Sequence, residues 1–327
     1  MSDTLANLRR KIERARDLRS VVSTMKALAA ASIGQYEKSV RSLDDYYRAV
    51  QLGLSVCLSA RMSSTGVAMP HEYEQKAKKG SGVTGAIVFG SDQGLVGQFN
   101  DVVVDYALHT LAALPGKKKV WAVGERVHDR LADAGVSLAG LLTVPLSINA
   151  ITPLVGQILM RIMAPSLAEG EAHREQNNDQ LEQKVHRDKN KVTQLYLFYN
   201  NSRSGEIYEP VNQQLLPLDE TWQRKLAELP WPTRNLPEVV GGNAATLRAL
   251  VREYLFVSLF RACAESLASE NASRLAAMER AERNIDQLRE DLQKTFYRLR
   301  QSKIDEELFD VIAGVEALAG TKQRNHR

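Results

Sequence analysis

Cysteine is almost missing: 327 residues carry only Cys57 and Cys263. Each lies in a helical apolar pattern without a histidine or a second cysteine nearby, which excludes a disulfide framework and a cysteine-based zinc site. The six histidines (His71, His109, His128, His173, His186 and His326) include no two at metal-ligand spacing. Aromatics make up 6% of the chain, and charge of neither sign dominates, with 43 Lys+Arg against 39 Asp+Glu and a net charge of +4. That balance is too mild to argue for nucleic acid and is compatible with an acidic protein partner. Long apolar runs are also lacking. The most apolar stretch, Leu138–Ala164, is interrupted by Pro145, Asn149, Pro153, Gln157 and Arg161, and makes a poor membrane span. No secretory signal is visible. The first twenty residues are Arg-rich, but Asp3, Glu13 and Asp17 do not suit a transit peptide. A soluble protein that docks on a membrane complex fits these limits.

Proline is missing from both ends. Asp3–Ala60 has none, and glycine only at Gly34 and Gly53. Leu8, Ala15, Val22, Ala29, Tyr36, Leu43 and Val50 form a row seven residues apart, with a second row through Ile33, Val40, Tyr47 and Leu54. A seven-residue apolar period is the signature of a coiled coil. Within residues 1–60, a helix of some 55 residues would be roughly 80 Å long at about 1.5 Å per residue, so another long helix must run beside it. The last segment, residues 242–327, supplies one. Asn243 follows Gly241-Gly242 as a candidate cap, and Gly314 is the first glycine after it. One row there reads Met278, Ile285, Leu292, Leu299. Its companion reads Ala281, Leu288, Thr295, Ser302, so the seam is expected to weaken toward the C-terminus. The simplest geometry is an antiparallel two-stranded coiled coil made from the termini.

Between the ends the pattern changes. Residues 61–84 are polar, rich in Gly, Ser and Lys, and predict a loop. Over 85–216 short apolar runs alternate with helical patterns. Strands are expected at Gly85–Gly90, Lys119–Val123 and Leu138–Val144, and helices at Phe99–Leu114, Glu125–Ala134 and Ala150–Leu167. That alternation predicts a small α/β unit with a mainly parallel sheet. Val192–Tyr199 and Ile207–Leu216 read as paired strands across an Asn200–Gly205 turn. The polar segment Glu169–Lys191 reads as a solvated extension or a partner-specific insertion. Residues 217–241, with Pro217, Pro230, Pro232 and Pro237, read as a connector.

Little in the chain suggests chemistry. Gly90-Ser-Asp-Gln-Gly94-Leu-Val-Gly97 follows a strand and precedes a helix, the setting of phosphate sites. Its spacing is neither the dinucleotide fingerprint nor a Walker loop, and Asp92 would repel a phosphate. A structural turn or a protein contact is the stronger reading. Acids on the C-terminal helix alternate with Arg280, Arg283 and Arg289, as on a solvated salt-bridged face. Asp305-Glu306-Glu307 point in different helical directions and do not converge on a cation. No nucleophile has a plausible base beside it. Three classes stay open on residues alone: a rotor or shaft, a nucleotide-binding α/β enzyme that dimerises through its ends, and a coiled-coil adaptor.

Three segments together resemble the gamma subunit of F-type ATP synthases: Thr24–Ser32 (TMKALAAAS), Ser91–Asn100 (SDQGLVGQFN), and Ala268–Met278 (ASENASRLAAM) continuing to Leu299-Arg300-Gln301. The resemblance implies terminal helices wound as a coiled coil with a Rossmann-like domain. The implied role is a central-stalk rotor that carries torque without catalysis, cofactor or metal. The partners it implies are three alpha and three beta subunits, the epsilon subunit and the c ring, with no nucleic acid. The implied place is peripheral, on the cytoplasmic face of a bacterial inner membrane. By the same resemblance Met25 and Lys26, the stretch containing Ser91, Asp92, Gln93 and Gly94, the pair Glu270 and Arg274, and Arg300 with Gln301 match contacts with a beta subunit. Asp305 stands in that region where the family usually has Thr, and Val96 and Gln98 replace the usual Cys and Gly. Such departures suit a divergent branch, such as the family's alternative, sodium-linked form.

Overall fold

A computed structural model describes residues 4–63, 83–167, 192–202, 208–235, 237–239 and 242–324. In chain order the helices are α1 (Leu5–Ser42), α2 (Asp44–Ser63), α3 (Phe99–Ala113), α4 (Glu125–Asp133), α5 (Ile151–Leu167), α6 (Glu220–Ala227) and α7 (Asn243–Arg324). The strands are β1 (Val83–Phe89), β2 (Lys117–Val123), β3 (Leu138–Leu142), β4 (Val192–Asn201) and β5 (Glu209–Leu216). The loop expected before β1 lies largely outside the described residues. So do the charged segment Glu169–Lys191 and most of the Asn200–Gly205 turn. No helix among the described residues is long and apolar enough to cross a membrane.

The chain divides into two units. One comprises residues 1–28 and 275–327, the other residues 29–274. In the first, the first half of α1 pairs with the middle of α7. Ala15 and Val22 are buried with Met278 and Ile285, and Met25, Ala277 and Ala281 pack around them. The pairing is antiparallel: Arg19 Nε donates to Asp286 Oδ1 at 2.7 Å, and Lys26 Nζ to Glu282 Oε2 at 2.5 Å, so the partner number falls as the α1 number rises. Arg19 also reaches Glu282 at 3.5 Å. These ions are half exposed, so they fix register and polarity more than they stabilise the pair. Burial along the α7 row fades as the residues suggested: Met278 and Ile285 are buried and Leu292 is half-buried, whereas Leu299 and its neighbour Leu288 are exposed. The register explains the fading. Leu5, where α1 begins, lies fourteen residues before Arg19, and Arg300 lies fourteen after Asp286. Past Arg300, α7 runs beyond the start of α1, and residues 297–314 are exposed on every side.

The second unit is a three-layer α/β structure. Its sheet has the order β3-β2-β1-β4-β5, parallel except for the antiparallel β4–β5 pair. Side chains alternate across the pleat and divide the core. Ala86, Val88, Val120, Ala122 and Phe198 face α3 and α4 through Val103, Ala107, Leu111, Val127 and Leu131. Ile87, Phe89, Trp121, Val123, Leu195 and Leu197 face the other way, toward Ile151, Val155 and Ile158 of α5, Leu54 and Leu58 of α2, and Leu255 and Leu259 of α7. The α2–α7 pairing is antiparallel as well: Tyr46 Oη donates to Glu253 Oε2 at 2.6 Å, and Asn243 Nδ2 to the Cys57 carbonyl at 3.1 Å. Both cysteines are buried and free, and apolar surroundings push both thiols up, Cys57 by desolvation alone and Cys263 by desolvation first and the Glu270 charge second.

Two features differ from the pattern read in the residues. The N-terminal helix is interrupted at Leu43, where α2 begins afresh with Asp44 and Asp45 in its first turn, acids that favour a helix start. The interruption is slight, since Tyr47 N still donates to the Leu43 carbonyl at 2.8 Å. The connector contains α6. Asp219 caps it by accepting from the amides of Thr221 and Trp222, and Leu226 is buried beneath it. Trp222 packs on Tyr254 at 4.9 Å between ring centroids.

Candidate functional site

The Gly-rich stretch after β1 is a braced loop. Gly90 opens it with its amide donating to the Val123 carbonyl at 2.8 Å. A Cβ there would fall 2.5 Å from Val127 Cβ and 2.6 Å from Asn100 Oδ1, so only glycine fits. Ser91 is fully buried. Its amide donates to Asn100 Oδ1 at 3.0 Å, its hydroxyl accepts from Asn100 Nδ2 at 2.8 Å and donates to the Gln93 carbonyl at 2.9 Å, and its carbonyl accepts from the Arg126 amide at 3.0 Å.

Asp92 spends both carboxylate oxygens on backbone amides. Oδ1 accepts from Glu125 at 2.9 Å and Oδ2 from Val144 at 3.0 Å. The N-cap of α4 is Gly124, with φ of 118° and no side chain to cap the helix. A Cβ at Gly124 would meet the Ser91 carbonyl oxygen at 2.8 Å, so a capping Ser or Asp cannot stand there. Asp92 supplies the missing cap from the neighbouring loop.

The tip of the loop points outward. Leu95 has φ of +64° and is 62% exposed, a conformation that non-glycine residues seldom adopt. Val96, next to it, is buried, and its carbonyl accepts from Ser273 Oγ of α7 at 2.5 Å. Gly97, with φ of 59°, returns the chain to α3. Gly90→Ala is expected to cost about 1–3 kcal/mol, because the obstructing Val127 Cβ is fixed to helix backbone. Denaturant titration of the full chain measures it.

A buried ion pair brackets Ser273 on α7. Arg274 Nη2 donates to Glu270 Oε1 at 2.5 Å, with side chains only 13% and 7% exposed. Arg274 Nη1 also donates to Asn271 Oδ1 at 3.3 Å. Glu270 Oε2 and Arg274 Nε are buried without a partner. Burial pushes the Glu270 carboxyl up. Arg274 opposes the shift, and the charge of Asp92 adds to it. Tyr36 of α1 lies in the same field: its phenol is raised by burial first and by the charges of Cys263 and Glu270, and is eased by Arg274.

In an open parallel sheet, ligands bind where neighbouring strands send their connections to opposite sides. Here that crevice lies at the ends of β1 and β4, and the protein's own side chains fill it. Phe99 and Asn200 are fully buried there and Asn100 nearly so. Asn200 Nδ2 donates to the Phe99 carbonyl at 2.8 Å, and the Phe99 ring meets Tyr208 edge-on at 5.3 Å. The anion position at the start of α4 is occupied by the Asp92 carboxylate. Among the described residues no group of three or more His, Cys, Asp or Glu is placed to hold a metal.

The residues singled out in the sequence fall into separate groups. Ser91, Asp92, Gln93, Gly94, Glu270 and Arg274 belong to the α/β unit, where the loop and α7 meet through Ser273. Met25 is half-buried in the coiled coil, and Lys26 beside it is engaged by Glu282. Arg300, Gln301 and Asp305 are exposed along the stretch of α7 that no helix accompanies among the described residues. Sequence reasoning includes Leu95, Asn100 and Ser273 in its motifs and Asn200 in a turn, but gives none of them a role of its own. A bulky apolar residue between glycines is a usable signal for Leu95; the others answer to distant partners.

The described structure thus joins a coiled coil of chain ends and an α/β unit whose crevice is filled by its own side chains. The chain matches the ATP synthase family profile over residues 4–318 and belongs to that family. It is 24% identical to the ATP synthase gamma chain of Bdellovibrio bacteriovorus, over 97% of this chain and 99% of that one. It is 25% identical to the gamma chain of Brevibacillus brevis, over 98% and 100% respectively. In fold it is similar to a chain of the rotor of Euglena gracilis mitochondrial ATP synthase, with a TM-score of 0.57 and 16% identity, covering 92% of this chain and 98% of that one. It is also similar to a chain from the central stalk and c ring of the Tetrahymena thermophila enzyme, with a TM-score of 0.52 and 19% identity over 80% and 99%.

Proposed function

We propose that this chain is the central-stalk rotor of an F-type ATP synthase, a non-catalytic subunit that carries torque between a membrane c ring and a catalytic hexamer of three alpha and three beta subunits. The observation that carries the proposal is the antiparallel pairing of the two chain ends, with register fixed by Arg19, Lys26, Glu282 and Asp286. A two-stranded helical rod transmits rotation because its strands cannot slide past each other without breaking that ladder. Full-length similarity to chains named as gamma supports the assignment. The epsilon subunit is the further partner, and the place of work is the cytoplasmic face of a bacterial inner membrane, reached through the complex.

Contacts with the hexamer are assigned to Met25 and Lys26, to the loop Ser91–Gly94, to Glu270 and Arg274, and to Arg300, Gln301 and Asp305. Charge-assisted hydrogen bonds at such positions hold a defined angle, and small residues between them let the surface pass. Reconstitution tests the reading. ATP hydrolysis by alpha and beta subunits is expected to rise on adding the chain, and a bead fixed to the chain is expected to rotate against an immobilised hexamer. Hydrolysis indifferent to the chain would remove the rotor role.

A further inference from the structure

We propose that the exposed end of α7 is a dimerisation seam, which in the unassembled chain pairs antiparallel with the same stretch of a second copy of this chain. Two rows on α7 lead to it. The row that faces α1 runs through Met278 and Ile285, both buried, to the half-buried Leu292 and Phe296. Continued at helical spacing it meets Leu299, then Lys303, Glu306 and Asp310. It turns charged where α1 ends, so the α1 seam has no continuation. A second row begins there: Tyr297, Gln301, Ile304, Leu308 and Val311, spaced alternately by four and three. Tyr297, Ile304, Leu308 and Val311 are each more than half exposed. That spacing keeps them on one face of the helix, at the a and d positions of a heptad. An ordered apolar row left in solvent marks a protein-binding face.

The flanking charges identify what covers the row. With Gln301 and Leu308 at a, and Tyr297, Ile304 and Val311 at d, Arg300 and Glu307 fall at g, and Arg298 and Asp305 at e. Charges at e and g lie beside the partner helix and select it and its orientation. In an antiparallel pair each a residue meets a d residue, g meets g and e meets e. The register that sets Leu308 against Tyr297 of the second copy, and Ile304 against Gln301 of the second copy, also sets Arg300 against its Glu307 and Arg298 against its Asp305. Two-fold symmetry repeats each contact, so the stretch is complementary to itself, as an isologous interface requires. None of these four charges is engaged within the chain among the described residues. A parallel pair would leave Arg298 and Glu307 unmatched and set each charged block beside its own copy. Gln301, the polar member of the row, lies next to the two-fold axis, where it weakens the pair and fixes its register. The rotor reading assigns Arg300, Gln301 and Asp305 to the hexamer, so pairing and assembly exclude each other. The dimer is the resting form of the free chain, covering an apolar end that is otherwise a liability for aggregation.

Sedimentation equilibrium of the full chain alone tests the proposal. A dimer is expected with a dissociation constant on the order of 10 µM, as suits an interface at the small end of the specific range. Leu308→Asp, and independently Ile304→Asp, should leave only monomer at about ten times that concentration. Arg300→Glu and Glu307→Arg should each raise the constant about tenfold, since each replaces attraction by repulsion at two symmetric places. The two together should bring it back near the wild-type value, because the reversed charges again oppose each other. All four positions are exposed, so the variants keep the fold. A chain that stays monomeric up to about 1 mM, a dimer that both aspartate variants leave intact, or a double reversal weaker than either single one would each overturn the proposal. Rescue of Arg300→Glu by Asp305→Arg in place of Glu307→Arg would also overturn it, since that pairing belongs to parallel helices. No alpha or beta subunit enters these measurements, so their outcome is separate from the reconstitution that tests the rotor reading.

Discussion

Arg274→Ala is expected to destabilise the chain by about 3–5 kcal/mol at neutral pH, because it strands a buried carboxylate. In the native structure the Arg274 guanidinium is the strongest influence holding Glu270 charged; burial works against it, and Asp92 adds a like charge. Removing the cation leaves only the two effects that raise the carboxyl. The sign of the pH dependence follows. A carboxyl whose native pKa lies above its unfolded value binds more protons when folded, so the folded state is favoured at low pH and loses stability as pH rises through that interval. The variant should therefore be closest to wild type below the ordinary glutamate range near 4.3 and should fall progressively behind above it. Adding Glu270→Gln should recover most of the loss at neutral pH, since a neutral amide has no charge to desolvate. Chemical denaturation of the three chains at several pH values measures all of this. A loss in Arg274→Ala that neither acid nor Glu270→Gln relieves would mean that the arginine acts through packing alone.

Phe99→Ala should cost a comparable amount, about 3–5 kcal/mol, for a different reason. Phe99 fills the crevice between the ends of β1 and β4, fully buried and in edge contact with Tyr208. Truncation opens a cavity at the one place where the sheet's connections diverge, and the surrounding strands are too tightly hydrogen-bonded to collapse into it. The Phe99 carbonyl would still accept from Asn200, so the loss measures packing with the polar bond retained. Thermal denaturation reads the cost. A drop under about 1 kcal/mol would show the crevice to be adaptable, contrary to close packing in interiors.

Elements whose cause is periodic are legible in the residues themselves. The row from Leu8 to Val50 follows the interior face of α1 and α2 because burial on a helix repeats with the heptad, and Met278 and Ile285 follow for the same reason. The alternating strands and helices of the α/β unit are readable from buried apolar runs. The interruption at Leu43 carries no Gly or Pro, and α6 is masked by the prolines around it. The site is less legible. Asp92 meets amides 33 and 52 residues away, and Ser273 meets Val96 across 177. Such pairings depend on tertiary placement, which local spacing does not encode. The direction in which Asp92 faces is therefore invisible in a motif that names it only as one letter among ten.

The register of the terminal helices has a mechanical consequence. Up to about Arg300 the rod is two helices locked by a ladder of ions; beyond it, among the described residues, a single helix continues through the exposed residues 301–314. Two cylinders bound side by side resist bending and twisting far more than one alone. Elastic compliance in this unit is therefore concentrated at its single-stranded end, which acts as a soft spring in series with a stiff one. Under a steady load, stored deformation gathers there, and the ladder of Arg19, Lys26, Glu282 and Asp286 marks where softness gives way to stiffness.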